Sequence, residues 1–443
     1  MLRLFFFTLI HFPYTAMAFT PDQLPPKAPE RNATDYLTPL PSRSELASHL
    51  KTELAKQPGH SIGDFLTKTL WSWIYHYAKS RFGKKAAYRV YKGANTGIYT
   101  LSAVAPTSLA ITSDWATDTA ESHAIARAMK GHDPDYTLHV GDTYFVGAPP
   151  EIQRNFVAPD SPWVRGRLGS FAVLGTHEMY ARGDAFFESL LPSLGTTNAA
   201  GNYIGQETGF FCLQNDHWRI LGLDTGYNSV GTPILEFLPF CAPKSGFEQT
   251  VVDWLRDVVK VGDPKDKRGL VILTHHQFIS AFEKETEYQK PADQLAALFG
   301  ERKQVLWLWG HEHKLAFYQP LQTGNLTVYG RCIGHGGTPV ELTSKAFRKD
   351  PKKKGFNALV AVDERERMAI GDTKLGHNGY VKLTLNKAVL EVASYDETDC
   401  LLTETWTVEN QTGNLQGKVH VPETCRLSLI NGKDWSDIVA AVR

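Results

Sequence analysis

The stretch VLWLWGHEHKLAFY, from Val305 to Tyr318, decides the fold of this chain. It opens with an apolar run that is typical of a buried strand, and Gly310 ends that run. In extended backbone, residues two apart point to the same side, so His311 and His313 face one way and Glu312 faces the other. Two imidazoles on one face of a strand end are either solvated loop histidines or metal ligands, and the rest of the chain must decide between them.

Short apolar segments recur through the middle of the sequence, and helical stretches such as FEQTVVDWLRDVVK lie between several of them. One helix is predicted from Asp118 to Gly131, with Asp118 and Glu121 capping its start reciprocally. This alternation predicts an α/β domain. The predicted strands are TSLAIT (107–112), YTLHV (136–140), SFAVLG (170–175), WRILGLD (218–224), LVILT (270–274) and VLWLW (305–309).

Five of these strands are followed by side chains that can bind a metal. Open α/β sheets bind their ligands at the carboxyl ends of strands, so we expect these side chains to line one crevice. They are Asp114, Asp142, His177 with Glu178, His275 with His276, and His311 with His313.

The order Asp, Gly-Asp, Gly-x-His-Glu, His and Gly-His-x-His resembles the calcineurin-like metallophosphoesterases, from about residue 101 to 341. The segments GHGGTPVE (334–341) and HEMYARG (177–183) are similar to an exported bacterial branch related to purple acid phosphatases. The resemblance implies a four-layer α/β/β/α sandwich. The strand pattern agrees with that fold, to which a helical N-terminal extension and a β-rich C-terminal extension would be added.

The resemblance also implies a site with two transition metal ions, which His and Asp ligands would suit as Fe, Mn or Zn. Asp142 would bridge both ions, Asp114 and His313 would hold the first, and His275 with His311 would hold the second. Outside the metal shell, His177 would stabilise or protonate the leaving oxygen, and Glu178 would orient His177. Water activated by the metals would then attack phosphorus in line.

Three positions depart from the family pattern. Where many members have Asp-x-His, this chain has Ala116 two residues after Asp114. Phe145 occupies the place of the purple acid phosphatase tyrosine, with Tyr144 one residue earlier. Thr176 stands at the usual Asn, where a hydroxyl is a weaker ligand for the second metal. Substitute ligands could come from Asp118, Tyr144, His123 or His335, although these positions are more often structural, and His276 is interpreted as a neighbour.

The N-terminus has the pattern of a secretory signal peptide. Arg3 precedes an apolar stretch that runs to about Tyr14, and the small residues Ala16 and Ala18 follow. Cleavage after Ala18 would give a secreted or periplasmic protein. No transmembrane anchor is expected, because the apolar stretch is too short to span a bilayer.

The resemblance, with the composition of the flanking segments, implies four parts of the chain. The segment 42–82 has helical spacing, and its aromatic cluster WSWIYHY (71–77) is interpreted as core, with a membrane interface as the alternative. The parts are a signal peptide (1–18), a linker and helical extension (19–100), the metallophosphoesterase domain (101–345) and a β-rich extension (346–443).

Charge and cysteine content set further limits. Lys plus Arg and Asp plus Glu both total 47, so no overall field attracts nucleic acid. In an oxidising compartment Cys400 could pair with Cys425, and Cys212 with Cys241, leaving Cys332 buried and free.

Two functions remain open. The first is metal-dependent hydrolysis of a small phosphoester or a phospholipid, and the second is a secreted, weakly active or inactive binding protein on the same fold. Other hydrolase classes fit poorly, since His177 and His311 lack the second histidine of a zincin and no Gly-x-Ser-x-Gly or Walker A motif is present. The sequence leaves the oligomeric state open.

Overall fold

Two large β-sheets dominate the computed structural model, which describes residues 84–101, 106–197, 201–230, 245–282, 289–343, 349, 351–370 and 372–441. The strands of this described part are β1 (Ile98–Thr100), β2 (Thr107–Thr112), β3 (Tyr136–His139), β4 (Gly169–Ala172), β5 (Gly195–Thr197), β6 (Tyr203–Gly205), β7 (Phe211–Gln214), β8 (Trp218–Leu223), β9 (Gly269–Thr274), β10 (Lys303–Trp309), β11 (Leu315–Tyr318), β12 (Leu321–Thr323), β13 (Leu326–Ile333), β14 (Leu359–Val362), β15 (Met368–Ile370), β16 (Thr373–Leu375), β17 (Gly379–Asn386), β18 (Val389–Asp396), β19 (Cys400–Val408), β20 (Leu415–His420) and β21 (Ser428–Leu429).

The first sheet has the order β1-β7-β8-β9-β10-β13-β11-β14-β21, with β12 added beside β13. Its central strands β8, β9, β10 and β13 are parallel neighbours. The second sheet has the order β20-β19-β18-β17-β2-β3-β4-β5-β6, and β2, β3 and β4 are parallel. Parallel strands present their carboxyl ends at one edge, so each sheet brings its own set of strand ends together.

Helices cover the outer faces of both sheets. The described α-helices are α1 (Ala120–Gly131), α2 (Pro149–Ile152), α3 (Thr176–Tyr180), α4 (Gln249–Trp254), α5 (Gln289–Ala296) and α6 (Lys354–Ala358). Single turns of π-helix continue α2 through Gln153–Val157 and α4 through Leu255–Val259, and a third π-turn is Phe186–Leu190. Short 3-10 turns occupy Leu191–Ser193 and Trp435–Ile438.

Strand β10 shows how the sequence pattern builds the layers. Every residue from Val305 to Trp309 is buried, because both faces of the strand are covered. Trp307 and Trp309 pack in the cluster that includes Val251 of α4, whereas Leu306 packs in the cluster between the sheets. A third cluster joins α1 to the outer face of the second sheet. The layers therefore follow the order helix, sheet, sheet, helix, as expected.

The C-terminal region is rich in strands, and these strands complete the sandwich. Strand β17 pairs antiparallel with β2, and β18 to β20 extend the second sheet outward from it. Strands β14 and β21 extend the first sheet at its far edge. The region is thus continuous with the domain that carries the sequence motifs.

Two local expectations were wrong. Helix α1 begins after Thr119, whose side chain accepts a hydrogen bond from Ser122 N–H in a capping box, so Asp118 and Glu121 are not the caps. Cys212, Cys332, Cys400 and Cys425 are free thiols in this structure. The expected Cys400–Cys425 disulfide is absent, and Cys400 lies against Leu402 O and Thr403 Oγ1 instead.

Several predictions fall on residues outside the described ranges. These are the signal peptide, the helical segment 42–82 with its aromatic cluster, and Cys241. Among the helices that are described, none is long and apolar enough to cross a membrane.

Candidate metal centre

The strand ends of the two sheets meet at one place. Asp114 follows β2, Asp142 follows β3, His275 follows β9 and His311 follows β10. Ligand atoms of Asp114, Asp142 and His275 lie within 4.8 Å of one another, and so do those of His275, His276 and His311. The structure therefore gathers these predicted residues into two overlapping groups that share His275.

Asp142 is buried between the two groups. Its Oδ1 lies 3.2 Å from His275 Nε2 and accepts a hydrogen bond from His177 N–H at 2.8 Å. Its Oδ2 lies 3.3 Å from the Tyr144 hydroxyl. The two carboxylate oxygens thus contact different side chains, which a ligand shared by two metals would need to do.

Tyr144 lies among the oxygen-bearing side chains of Asp114 and Asp142. Its hydroxyl donates to Asp114 Oδ1 at 2.9 Å and lies 2.8 Å from His313 Nε2. Asp114 Oδ2 is held separately by Ser113 Oγ at 2.7 Å and by His311 N–H at 2.9 Å. Tyr144 was considered in the sequence only as a possible substitute ligand. No periodicity distinguishes it from its neighbour Phe145, and only the backbone course shows which ring enters the site.

Four of the gathered residues have left-handed backbone. The φ angles are 57° at Asp114, 70° at Asp142, 67° at His311 and 41° at His313. Each such conformation costs about 1 kcal/mol or more for a residue with a side chain, and it persists only where surrounding structure enforces it. Strain concentrated on candidate ligands is typical of a functional site.

Glycines allow the strand ends to approach. A Cβ on Gly310 would collide with Ser113 and with Asp114 Oδ2, and a Cβ on Gly175 would collide with Asp142. Gly310 therefore lets a loop of the first sheet pack against Asp114 of the second, and Gly175 lets two neighbouring loops of the second sheet pack together at Asp142.

His177 and Glu178 lie side by side in sequence but contact different groups. Nδ1 of His177 lies 2.5 Å from Phe145 O, and its Nε2 lies 3.7 Å from Asp142 Oδ2. Glu178 accepts hydrogen bonds from Asp142 N–H, Gly175 N–H and the hydroxyl of Thr143. Among the hydrogen bonds described, the Phe145 carbonyl orients His177, and Glu178 fixes the loop that carries Asp142.

The second group contains a residue that the sequence interpretation left outside. The two ring nitrogens of His276 each lie 2.9 Å from a hydroxyl: Nε2 from Thr176 Oγ1, and Nδ1 from Thr225 Oγ1. Thr176, at the usual Asn position, therefore makes its side-chain contact with a neighbouring imidazole.

Opposite charges dominate the electrostatics. Burial alone would raise the pKa of Asp142, but His275 and His177 outweigh it and hold that pKa well below its usual range. Burial lowers the pKa of His275, yet Asp142 and Asp114 outweigh it and raise that pKa to about 10. Burial, with the charge of Asp142 adding to it, raises the pKa of Glu178 to about 7. The carboxylates attract a cation to this position.

The residues present fit a bound metal. His275 Nε2 is buried and makes no hydrogen bond to any described group, although it lies close to Asp142 Oδ1. A buried nitrogen without a partner costs free energy unless a ligand completes it. Asp, His and Tyr donors together suit a borderline transition metal.

The other suggested ligands lie elsewhere. Asp118 pairs with His123 at 3.0 Å and with Arg154, and His335 is bound through its carbonyl by Asn378. None of Asp118, His123 and His335 belongs to the groups of metal-ligand atoms found in the described residues.

Residues 107–315 match the sequence profile of the Calcineurin-like phosphoesterase family. This match, together with the ligand groups above, supports phosphoester hydrolysis in general. No curated protein matches the chain.

Two solved structures show a distant likeness. GAP50, described as the anchor in the inner membrane complex of Plasmodium, is 11% identical with a TM-score of 0.42, over 69% of this chain and 89% of that one. PhoD is 11% identical with a TM-score of 0.40, over 75% and 73%.

Proposed function

We propose that this chain hydrolyses a phosphoester at a binuclear metal site in which Asp142 is the bridging ligand. The observation that carries the proposal is the division of the Asp142 carboxylate between His275 on one side and the Tyr144 group on the other. Asp114 and His313 would hold the first metal, and His275 and His311 would hold the second.

Tyr144 would join the first metal in place of the tyrosine that purple acid phosphatases carry at the position of Phe145. Its hydroxyl already lies within hydrogen-bond distance of Asp114, Asp142 and His313. Thr176 would be at most a weak ligand of the second metal, because its hydroxyl is engaged with His276.

Two bound metal ions would supply an activated water and neutralise charge on the phosphoryl group. The protein's own groups then position and protonate. Phe145 O fixes the Nδ1–H of His177, so protonated His177 can give its Nε2 proton to the leaving oxygen. Glu178 keeps the Asp142 loop in place through its hydrogen bonds from Asp142 N–H and the Thr143 hydroxyl.

The substrate is proposed only as a small phosphoester or a phospholipid, and the N-terminal signal pattern supports an exported enzyme. The three departures from the family pattern favour the second candidate, a weakly active or inactive binding protein, and metal content separates the two.

The test is metal content by mass spectrometry, combined with hydrolysis of p-nitrophenyl phosphate and of its bis ester with and without added Mn²⁺ or Zn²⁺. His311→Ala is the site variant, and His123→Ala removes a histidine outside the site as the matched control. We expect close to two metals per chain and turnover in the wild type and in His123→Ala, with both reduced in His311→Ala. Absence of metal and turnover under every supplement would refute the enzyme and favour a binding protein.

A further inference from the structure

His276 is a buried imidazole to which the family resemblance gives no role. It follows β9 directly after His275 and is 2% exposed. Its ring centroid lies 4.9 Å from that of His275 and 4.7 Å from that of His311, and the latter two are 5.2 Å apart. Three imidazoles therefore converge where the family pattern expects two.

The backbone of His276 is fixed on both sides. Its N–H donates to Thr225 Oγ1 at 3.1 Å, and its carbonyl accepts from Thr274 Oγ1 at 2.7 Å. Thr274 Oγ1 in turn accepts from Trp307 Nε1 at 2.7 Å. Because these bonds hold the backbone of His276, the residue loses little conformational freedom on binding a ligand.

The hydrogen bonds at the ring permit the tautomer that a metal ligand needs. Thr225 Oγ1 has a second lone pair that can accept Nδ1–H of His276, and this leaves the lone pair of Nε2 directed toward Thr176. Metal-binding histidines commonly donate their other ring N–H to such an acceptor, which orients the ring and raises its basicity.

Resting on the function proposed above, we propose that His276 is a third imidazole ligand of the second metal and replaces the amide that Thr176 lacks. Nε2 of His276 lies 2.9 Å from the Thr176 hydroxyl, immediately beside the position where the missing ligand atom would be. Ligand atoms of His275, His276 and His311 lie within 4.8 Å of one another, close enough to share one ion.

The replacement changes the chemistry of the second position. Three neutral imidazoles with one oxygen of Asp142 form a nitrogen-rich set of four ligands. Such a set favours Zn²⁺ and disfavours harder ions such as Mn²⁺ or Mg²⁺, which prefer oxygen donors. We expect the second site to select Zn²⁺.

The test is a calorimetric titration of the metal-free protein with Zn²⁺, repeated with Co²⁺ while its visible absorption is recorded. His276→Gln should weaken the second equivalent of Zn²⁺ by more than ~100-fold and change the Co²⁺ absorption, because a ligand and not merely its support is lost. Thr225→Val, which removes the acceptor of Nδ1–H, should weaken it by roughly 10-fold. His123→Gln should bind both equivalents as the wild type does.

Restoring the family amide provides a positive test. The double variant Thr176→Asn with His276→Gln should recover the second equivalent and shift preference from Zn²⁺ toward Mn²⁺. If His276→Gln fails to fold, judged by circular dichroism and thermal unfolding, Thr225→Val decides the matter, and its unchanged Zn²⁺ affinity would overturn the proposal.

The outcomes separate this proposal from the function it rests on. Two tight equivalents in folded His276→Gln would overturn the ligand assignment and leave the phosphoesterase intact. Loss of one equivalent in that variant, with no turnover by the wild type, would support the assignment and reject the enzyme. No metal in the wild type would overturn both.

Discussion

Two buried groups of charged residues in this protein are built in opposite ways. Arg331 on β13 and Glu404 on β19 join the two sheets by paired hydrogen bonds of 2.8 and 2.6 Å. The carbonyl oxygens of Tyr318, Gly330 and Ile438 accept the three remaining guanidinium protons. At the candidate metal centre, by contrast, His275 Nε2 makes no hydrogen bond to any residue that the structure describes, although Asp142 Oδ1 lies 3.2 Å away. Left-handed backbone adds strain at four of the gathered residues there.

This difference distinguishes residues that stabilise the fold from residues that are arranged to bind a ligand. A buried ion pair whose donors and acceptors are matched needs nothing further, so it serves the fold. A buried group with an unmatched nitrogen and strained backbone is costly alone and becomes favourable only with a ligand. We expect substitutions at the two places to have opposite effects on stability and activity.

Asp142→Asn should produce the largest effect. Removing the shared carboxylate charge should abolish binding of both metals and leave no measurable hydrolysis of p-nitrophenyl phosphate. The metal-free variant should unfold at a somewhat lower temperature than the metal-free wild type, because it loses the attraction between Asp142 and His275, but by less than Arg331→Met does. Scanning calorimetry and metal analysis measure both effects, and a markedly lower unfolding temperature would place Asp142 among the residues that serve the fold.

His177→Ala should reduce kcat by about 10²- to 10⁴-fold, the usual contribution of a general acid. The loss should be greater for an alkyl phosphate than for p-nitrophenyl phosphate, whose leaving group needs little protonation. Metal content should stay at the wild-type value, since His177 lies outside the proposed ligand set. Equal losses for both substrates would argue against proton donation.

Arg331→Met should cost about 3–5 kcal/mol of unfolding free energy, because it leaves Glu404 buried and unpaired. Metal content of the folded fraction should not change. The double variant Arg331→Met with Glu404→Leu should recover most of the stability, as buried pairs replaced by apolar residues often do. Urea unfolding measures both, and a double variant as unstable as the single one would show that the pair contributes more than mutual charge compensation.

Adding metal should give the smallest effect. Zn²⁺ at about 100 times its dissociation constant should stabilise the wild type by about 2.7 kcal/mol, through binding to the folded state alone. Arg331→Met should gain the same increment, whereas Asp142→Asn should gain none. A chelator should reverse the gain, and equal gains in all three proteins would mean that the metal binds elsewhere.

The core strands and the place where their ends meet could be predicted because they depend on local pattern. Apolar runs such as 305–309 and the residues that follow them carry that information directly. The capping residue of α1 and the contacts of Tyr144 and His276 could not be predicted. They depend on backbone turns and on neighbours such as Thr225 that lie far away in sequence. The pairing of β17 with β2 is equally invisible locally, because both read simply as strands.

That pairing also has a consequence for the order of assembly. Strand β2, which leads to Asp114, lies between β3 and β17, so one side of it stays open until the chain has been made as far as β17. Contacts this distant in sequence form late, since a long loop must close first. A nascent chain would therefore carry Asp114 beside an exposed sheet edge. Metal capture would then be a late event that follows synthesis of nearly the whole sandwich.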